Sequence, residues 1–207
     1  MEKKQVLLTD LDGVSVDWLS GFAKFMELEL GHKAEHLNPL NFTMIDIFPN
    51  LEKPYVHVRD YQHTDYYKNA PAYVGAYESY KVLKDMGVNI VAVTSCGTDK
   101  KIKENRIYNL ESNFPNIFDE VHMLEIGEDK SKILSNYRSS KFIDDQIANV
   151  IAGSKTGHES YLWDMSYNTK EVLPEKAFRM KNWDALIENY RNELKLPFFK
   201  NKRKFKF

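Results

Sequence analysis

The sequence of 207 residues contains a single cysteine, Cys96, so no disulfide bond can form within the chain. This favours a reducing compartment, and we expect the protein in the cytoplasm. No apolar run approaches the roughly 18 residues that a membrane-spanning helix needs. The first residues, MEKKQ, lead straight into a short apolar run and not into the core of a signal peptide. We therefore expect a soluble protein without a membrane partner.

The chain also has little excess charge, and its six histidines show no convincing metal-ligand spacing. The formal net charge is -1, which argues against a general affinity for nucleic acids or membrane surfaces. The charge is unevenly spread, because KNKRKFKF at 200–207 carries five basic groups and no acidic one. A basic tail at 198–207 could hold a nucleic-acid backbone, although a flexible, solvated chain end is the simpler interpretation.

Apolar runs alternate with helical patterns along most of the chain. Strands separated by helices of 10 to 15 residues imply a parallel sheet covered on both faces. We therefore expect an α/β fold built on a Rossmann-like, doubly wound parallel sheet. The predicted strands are VLL at 6–8, VNIVAVTS at 88–95, EVHML at 120–124, KFIDD at 141–145 and SYLWD at 160–164.

One segment breaks this alternation. After a helical pattern that begins at Trp18, the sequence becomes rich in proline, asparagine and aromatic residues up to Pro71. We expect a small, mainly helical insertion at 18–71, within a core formed by 1–17 and 72–197. Some aromatic residues of this insertion could form a stacking platform for a ring, although most fit its core better: Phe22, Phe42, Phe48, Tyr66 and Tyr67.

The stretch VLLTDLDGVSVDW places Asp10 and Asp12 directly behind the first predicted strand. Side chains alternate along an extended segment, so these two carboxylates project from the same side. Two like charges held so close repel each other unless a cation or a shared proton separates them. A solvated, Asp-rich turn is the alternative that this short motif alone leaves open.

Further polar residues follow other predicted strands. Thr94 and Ser95 end the second strand, Asp144 and Asp145 end KFIDD, and Lys130 lies at the start of the helix before it. Ligands of parallel sheets bind beyond the carboxyl ends of the strands. Carboxylate oxygens suit Mg²⁺, while a threonine hydroxyl and a lysine can bind phosphoryl oxygens. Asp10 could then attack phosphorus, and Asp12 could move the proton.

Four motifs together resemble the haloacid dehalogenase (HAD) superfamily of phosphohydrolases: DLDGV at 10–14, VAVTS at 91–95, Lys130, and IDD at 143–145. The resemblance covers residue 6 to about residue 165. It implies Asp10 as nucleophile, Asp12 as acid and base, and an aspartyl-phosphate intermediate. It also implies that the insertion is a cap over the active site.

The same resemblance implies the ligands. Mg²⁺ would be held by Asp10, the backbone carbonyl of Asp12, and Asp144, with Asp145 close by. The phosphate would be bound by Thr94, Ser95 and one lysine. Lys132 competes for that role, but Lys130 is preferred because it leaves Ile133 and Leu134 facing the core.

Looser similarities point to one branch of the superfamily. The segments YYKNAPAYVGAYESYKVLKDMG, YLWDMSYN and FRMKNWDALIENY resemble 5'(3')-deoxyribonucleotidases, although TSCG stands where relatives often have a proline. This implies a Mg²⁺-dependent phosphomonoesterase acting on a nucleotide or another small phosphometabolite. The alternatives are a phosphatase of nucleic-acid ends that uses the basic tail, and a non-catalytic module that binds phosphate or Mg²⁺. A thiol mechanism at Cys96 is disfavoured, because an aspartate nucleophile is available.

Overall fold

The computed structural model describes residues 5–41 and 43–196. Its centre is a parallel sheet of six strands in the order β3-β2-β1-β4-β5-β6. The chain therefore runs outward from the central strand β1 in both directions, which confirms the predicted α/β, Rossmann-like fold. The strands are β1 (Val6–Thr9), β2 (Asn89–Thr94), β3 (Glu120–Met123), β4 (Lys141–Asp144), β5 (Glu159–Trp163) and β6 (Ala177–Met180).

Helices connect these strands and cover the sheet. Four of them lie between β1 and β2, before the helix that leads into β2: α1 (Trp18–Leu30), α2 (Met44–Ile47), α3 (Val58–Gln62) and α4 (Asp65–Lys68), with a 3₁₀ turn at Pro54–His57. The others are α5 (Ala76–Asp85), α6 (Lys100–Asn113), α7 (Ser131–Leu134), α8 (Ile147–Lys155) and α9 (Trp183–Glu193), with a 3₁₀ turn at Ser166–Asn168. None of the helices in the described part of the chain has both the length and the apolar character that crossing a bilayer requires.

The strands read as apolar runs because both faces of the sheet are buried. In β2, Ile90 and Ala92 join the larger hydrophobic cluster, which also contains residues of α5 and α9. Val91 and Val93 point the other way, into a smaller cluster with Leu134 of α7. The apolar side chains of the strands are thus buried on the two faces of the sheet, and the polar residues lie at the carboxyl ends of the strands, along one edge of the sheet.

The segment between β1 and α5 has a hydrophobic cluster of its own. Its buried members come from α1 to α4 and the loops between them, together with Cys96 after β2 and Ile102 of α6. The first helix is capped by the side chain of Asp17, which accepts from the Ser20 N–H at 3.1 Å. It ends at Gly31, whose positive φ of 73° suits a residue without a Cβ. We call residues 18–71 the helical insertion.

Several predicted elements differ from the structure. The predicted helix DKSKILSNY contains only the four-residue α7, and the strand β6 was not predicted from the sequence. The described residues of the helical insertion form the 13-residue α1, three helices of four or five residues and a 3₁₀ turn, so the insertion after the first strand is mainly helical, as expected. The exact domain boundaries stay a prediction. Phe42 and the predicted tail at 198–207 lie outside the described residues.

Candidate active site

Three neighbouring strands bring the predicted site residues to one edge of the sheet. Asp10 directly follows the central strand β1, and its N–H donates to the carbonyl of Ile143 in β4 at 2.8 Å. Thr94 ends β2 on one side of β1, and Asp144 ends β4 on the other. Because the strands are parallel, their carboxyl ends meet. The fold therefore joins residues that are 134 positions apart in sequence, from Asp10 to Asp144.

Lys130 lies at the centre of this site. Its ammonium donates to Asp10 Oδ1 at 2.8 Å and to Asp144 Oδ2 at 2.7 Å. The lysine is 1% exposed, whereas Lys132, its competitor in the sequence, is on the surface. Burial alone would lower the pKa of Lys130, but the two carboxylates outweigh it and hold this pKa above its ordinary value. Lys130 is therefore a fixed positive charge inside the site.

The carboxylates outnumber this single cation. Burial raises the pKa of Asp10 well above its usual range; the Lys130 charge opposes this rise, and Asp144 and Asp145 add to it. Burial and the neighbouring Asp144 raise the pKa of Asp145 to about 7. Oxygen atoms of Asp10, Asp144 and Asp145 lie within 4.8 Å of one another. An excess of buried, closely spaced carboxylate oxygens is a suitable environment for a hard divalent cation such as Mg²⁺.

The pair at the end of β4 is held by neighbouring side chains. Asp144 Oδ1 accepts from the N–H of Gln146 at 2.9 Å and from the amide of Asn149 at 3.0 Å. Asp145 Oδ2 accepts from the Gln146 side chain at 3.0 Å and from the hydroxyl of Tyr167. These contacts fix the orientation of both carboxylates. In metal sites, hydrogen bonds from residues that do not themselves bind the metal commonly orient the ligands in this way.

Gly13 allows the first loop to approach this pair. Its φ is +82°, and a Cβ atom there would lie 2.5 Å from Asp145 Oδ2 and 2.9 Å from the Tyr167 hydroxyl. A residue with a side chain would adopt this backbone conformation only with strain, and its Cβ would collide with the side chains of Asp145 and Tyr167. The glycine in DLDGV is required by close packing as well as by the turn.

The hydroxyl group predicted to bind phosphate is available. Thr94 is buried, and its Oγ1 has no hydrogen-bond partner among the described residues. A buried hydroxyl without a partner is costly in a folded protein, so a ligand oxygen here would remove a penalty. Ser95, the next residue, is half-buried at the same strand end.

Asp12 has a different partner from the other carboxylates. Both of its carboxylate oxygens lie 2.6 Å from Nη2 of Arg106, a fully buried residue of α6. The side chain of Asp12 is 23% exposed, so it remains accessible from outside. Arg106 was missed by the sequence analysis, because nothing in the helical pattern of α6 distinguishes it from the surface cations around it.

The aromatic residues of the helical insertion are largely structural. Phe22, Phe48 and Tyr67 are buried in its hydrophobic cluster, so their ring faces are not available to a ligand. Tyr66 packs against that cluster and donates its hydroxyl to Glu29 at 2.7 Å. Cys96 is also buried there.

No family model matches the chain. A curated relative, an uncharacterized 32.4 kDa protein of Enterobacteria phage T4 from the Gp30-rIII intergenic region, is 27% identical over 195 residues. The alignment covers 90% of this chain and 69% of the relative.

Solved structures share the fold at low identity. A predicted phosphatase from Clostridium acetobutylicum has a TM-score of 0.67 and 20% identity, over 91% of this chain and 99% of that one. A haloacid dehalogenase-like hydrolase from Streptococcus pneumoniae has a TM-score of 0.59 and 15% identity, over 91% and 100%. This chain has the HAD fold. A third HAD-fold neighbour, D,D-heptose 1,7-bisphosphate phosphatase from B. bronchiseptica, was solved with magnesium and phosphate; its TM-score is 0.57 at 13% identity, over 91% and 99%.

The HAD fold explains the spacing of the motifs. The four short motifs are far apart in sequence, but all lie at or beside the carboxyl ends of β1, β2 and β4. A second signal, the Y-N of YLWDMSYN, belongs to the same region. Tyr167 contacts Asp145, and the Asn168 amide donates to the carbonyls of Asp145 and Trp163 at 2.9 and 2.7 Å.

Proposed function

We propose that the chain is a Mg²⁺-dependent phosphomonoesterase that works through an aspartyl-phosphate on Asp10. The observation that carries this proposal is the buried contact of Lys130 with both Asp10 and Asp144, beside Asp145. A structural ion pair would need one carboxylate for one ammonium. Three buried carboxylates around one lysine are better explained by a second cation and by a phosphoryl group that exchanges contacts with them.

The acidic cluster supports Mg²⁺ as this second cation. Asp10, Asp144 and the backbone carbonyl of Asp12 would hold it, with Asp145 adjacent. Burial first, and then the neighbouring carboxylates, raise the pKa values of Asp10 and Asp145, and a bound cation would favour the ionised form of both groups. When bound, Mg²⁺ supplies charge neutralisation for a carboxylate that approaches an anionic phosphate ester.

Asp10 and Asp12 then have separate tasks in the two halves of the reaction. An oxygen of Asp10 forms a bond to phosphorus as the bond from phosphorus to the leaving oxygen breaks. Asp12 enters this step in its protonated form and gives its proton to the leaving oxygen. In the second half, a water molecule loses a proton to Asp12 and bonds to phosphorus. The bond to Asp10 breaks, inorganic phosphate leaves, and both aspartates return to their starting states.

Three residues would hold the non-bridging oxygens during this transfer. Thr94 offers its unpartnered hydroxyl, Lys130 its buried ammonium, and Ser95 a second hydroxyl at the same strand end. Charge that builds up on these oxygens is best stabilised by groups already fixed in place. The two contacts of Lys130 to strand-end carboxylates supply that fixation.

For the substrate, we propose a nucleotide, with the helical insertion as a cap that selects it. The contacts of Tyr167 and Asn168 with Asp145 support the resemblance to 5'(3')-deoxyribonucleotidases, because they give the Y-N pair a role next to the reaction centre. The buried positions of Phe22, Phe48 and Tyr67 do not favour them as a base-stacking platform.

A phosphate-release assay tests the proposal. The purified chain is incubated with and without Mg²⁺ on p-nitrophenyl phosphate, 5'- and 3'-deoxyribonucleotides, and sugar phosphates. We expect Mg²⁺-dependent release, with the highest kcat/KM on a deoxyribonucleotide. Asp10→Asn should lower release by roughly 10³-fold or more. Asp85→Asn is the matched control, since Asp85 is an exposed carboxylate on α5. Release by wild type no faster than by Asp10→Asn contradicts the proposal.

A further inference from the structure

Arg106 is a fully buried cation in the middle of α6. Besides the two contacts to Asp12, its Nε donates to the hydroxyl of Tyr67 at 2.9 Å, and its Nη1 lies 3.4 Å from Asn109 Oδ1. Its guanidinium also stacks over the Tyr67 ring, 4.5 Å from the ring centre. All three nitrogens of the guanidinium are therefore occupied, and they join α6, the helical insertion and the loop after β1.

This arrangement is an expensive way to stabilise a fold. A buried ion pair recovers little more than the cost of removing its charges from water, and an apolar group of similar size often does as well or better. Tyr67, which contacts Arg106, belongs to the hydrophobic cluster of the helical insertion, and so does Ile102 of α6. Packing alone therefore does not require a cation at position 106.

The ion pair has a direct effect on Asp12. Asp12 lies in the loop after β1, and its side chain is 23% exposed. Without a partner, its carboxylate could therefore rotate among several orientations. Arginine is always charged and presents its donors in a fixed plane. With Nη2 on both carboxylate oxygens and Nε on Tyr67, the plane of the guanidinium sets the position of the carboxylate.

We propose that Arg106 is the positioning residue for Asp12, and that Tyr67 gives the helical insertion a direct influence on this orientation. The inference rests on the proposed function, in which Asp12 moves the proton of the leaving group. It adds a role that the four sequence motifs do not contain. The insertion then affects the chemical step through a chain of two contacts, from Tyr67 to Arg106 and from Arg106 to Asp12.

Leaving-group dependence separates this role from general structural support. Kinetics are measured for wild type, Arg106→Gln and Tyr67→Phe on p-nitrophenyl phosphate and on the alkyl phosphate that wild type hydrolyses fastest. An alkoxide needs a proton to leave, whereas p-nitrophenolate does not, so only the alkyl phosphate depends strongly on proton donation by Asp12 in the first half of the reaction. The second half is common to both substrates, so the comparison uses kcat/KM, which reports the first half. We expect Arg106→Gln to lower kcat/KM on the alkyl phosphate by about 10–100-fold. The loss of kcat/KM on p-nitrophenyl phosphate should be several-fold smaller.

Tyr67→Phe keeps the aromatic ring under the guanidinium and removes only the hydroxyl, so it tests the same idea if Arg106→Gln does not fold. We expect the same pattern of losses at a smaller size. Arg106→Lys should not restore the alkyl activity, because one ammonium cannot reproduce contacts to both Asp12 and Tyr67. Lys103→Gln removes an exposed cation of the same helix and should match wild type on both substrates.

Crystal structures of wild type and Arg106→Gln give a readout that needs no turnover: the Asp12 carboxylate should leave its wild-type position. An unmoved carboxylate, or equal losses of kcat/KM on the two substrates, overturns the positioning role while the proposed function stands. A wild-type chain that hydrolyses no substrate removes the proposed function, and the role of Arg106 in catalysis with it. A displaced carboxylate in that case would still show that Arg106 fixes Asp12.

Discussion

Asp145 is a buried carboxyl group whose pKa, raised first by burial and then by Asp144, reaches about 7 against an ordinary value of 3.8. A folded-state pKa above the unfolded value means that the folded state binds the extra proton. The contribution of this group to stability is therefore fully present below about pH 4 and is lost as pH rises through 7. Without Mg²⁺, we expect the melting temperature to fall between pH 5 and pH 8 more in wild type than in Asp145→Asn.

Mg²⁺ should reverse this loss. A bound cation favours the ionised form of the carboxylates, so its stabilising effect should be larger at pH 8 than at pH 5. Thermal denaturation with and without Mg²⁺ measures it, and each kcal/mol corresponds to roughly 2–4 °C for a chain of this size. Asp85→Asn, on the surface of α5, should follow wild type. An equal Mg²⁺ effect at both pH values would show that these carboxylates do not bind the ion.

Cys96 is buried, and this burial raises the pKa of its thiol. A thiol that is neither exposed nor ionised reacts slowly. We expect the native protein to react with Ellman's reagent at least tenfold more slowly than the urea-unfolded chain. Cys96→Ala should keep the proposed phosphatase activity and lose about 1 kcal/mol of stability from reduced packing. Loss of activity in a folded Cys96→Ala protein would instead support a thiol mechanism.

The acidic and hydroxyl residues of the site could be recognised in the sequence because each follows an apolar run. Asp10, Thr94 and Asp144 stand at strand ends, and parallel topology brings such ends together. Arg106 carries no such signal. It is one of several charged residues on α6, and its contact with Asp12 depends on the angle at which the helix packs, which residue order does not reveal.

Three of the five buried residues of α6 are polar, namely Asn105, Arg106 and Asn109, which is unusual for a helix packed against a hydrophobic core. Its asparagines bind backbone groups of the helical insertion. Asn105 donates to the carbonyl of Gln62 at 3.0 Å, and Asn109 donates to the carbonyls of Lys68 and Ala70 at 3.2 and 2.8 Å. The helix therefore holds the end of the insertion through hydrogen bonds and not only through apolar contacts.

We expect Asn109→Ala to destabilise the fold by about 1–3 kcal/mol, because it leaves the carbonyl of Lys68 without its side-chain donor and removes one of two donors to the carbonyl of Ala70, which also accepts from Asn113 at 3.0 Å. Urea denaturation measures the change in the free energy of unfolding. Glu111→Ala alters an exposed residue of the same helix and should stay within about 0.5 kcal/mol of wild type. If the two variants lose the same stability, the hydrogen bonds of Asn109 do not anchor the insertion.

The elements that the sequence analysis missed are short and weakly patterned. Strand β6 has four residues, Phe178 in its middle is 50% exposed, and Arg179 points to loop carbonyls. Such an edge strand lacks the continuous apolar run that identifies β2. Helix α7 is a single turn of four residues, too short for a periodic pattern, and Lys130 directly before it turns its side chain inward to the carboxylates.

The residues that the structure describes form three hydrophobic clusters, and the cluster in the helical insertion includes residues from outside the insertion. Cys96 follows β2, and Ile102 belongs to α6, yet both are buried among residues of α1 to α4. Together with the hydrogen bonds from α6, this packing means that the insertion cannot separate without exposing part of the core. We infer that the whole described chain unfolds as one cooperative unit.

The three tryptophans allow a test, because they report on different regions. Trp18 stacks on Phe22 in the insertion, with ring centres 4.9 Å apart, while Trp163 and Trp183 lie 4.3 Å from each other in the larger core cluster. One variant, Trp163→Phe with Trp183→Phe, retains only the insertion reporter. The other, Trp18→Phe, retains only the core pair. In each variant, we expect the urea midpoints from fluorescence and from far-UV circular dichroism to agree within about 0.2 M.

Comparing the two midpoints within one variant removes the effect of the substitutions on overall stability. A Trp18 signal that changes at clearly lower urea than the circular dichroism would mean that the insertion unfolds on its own, as a separately moving cap would.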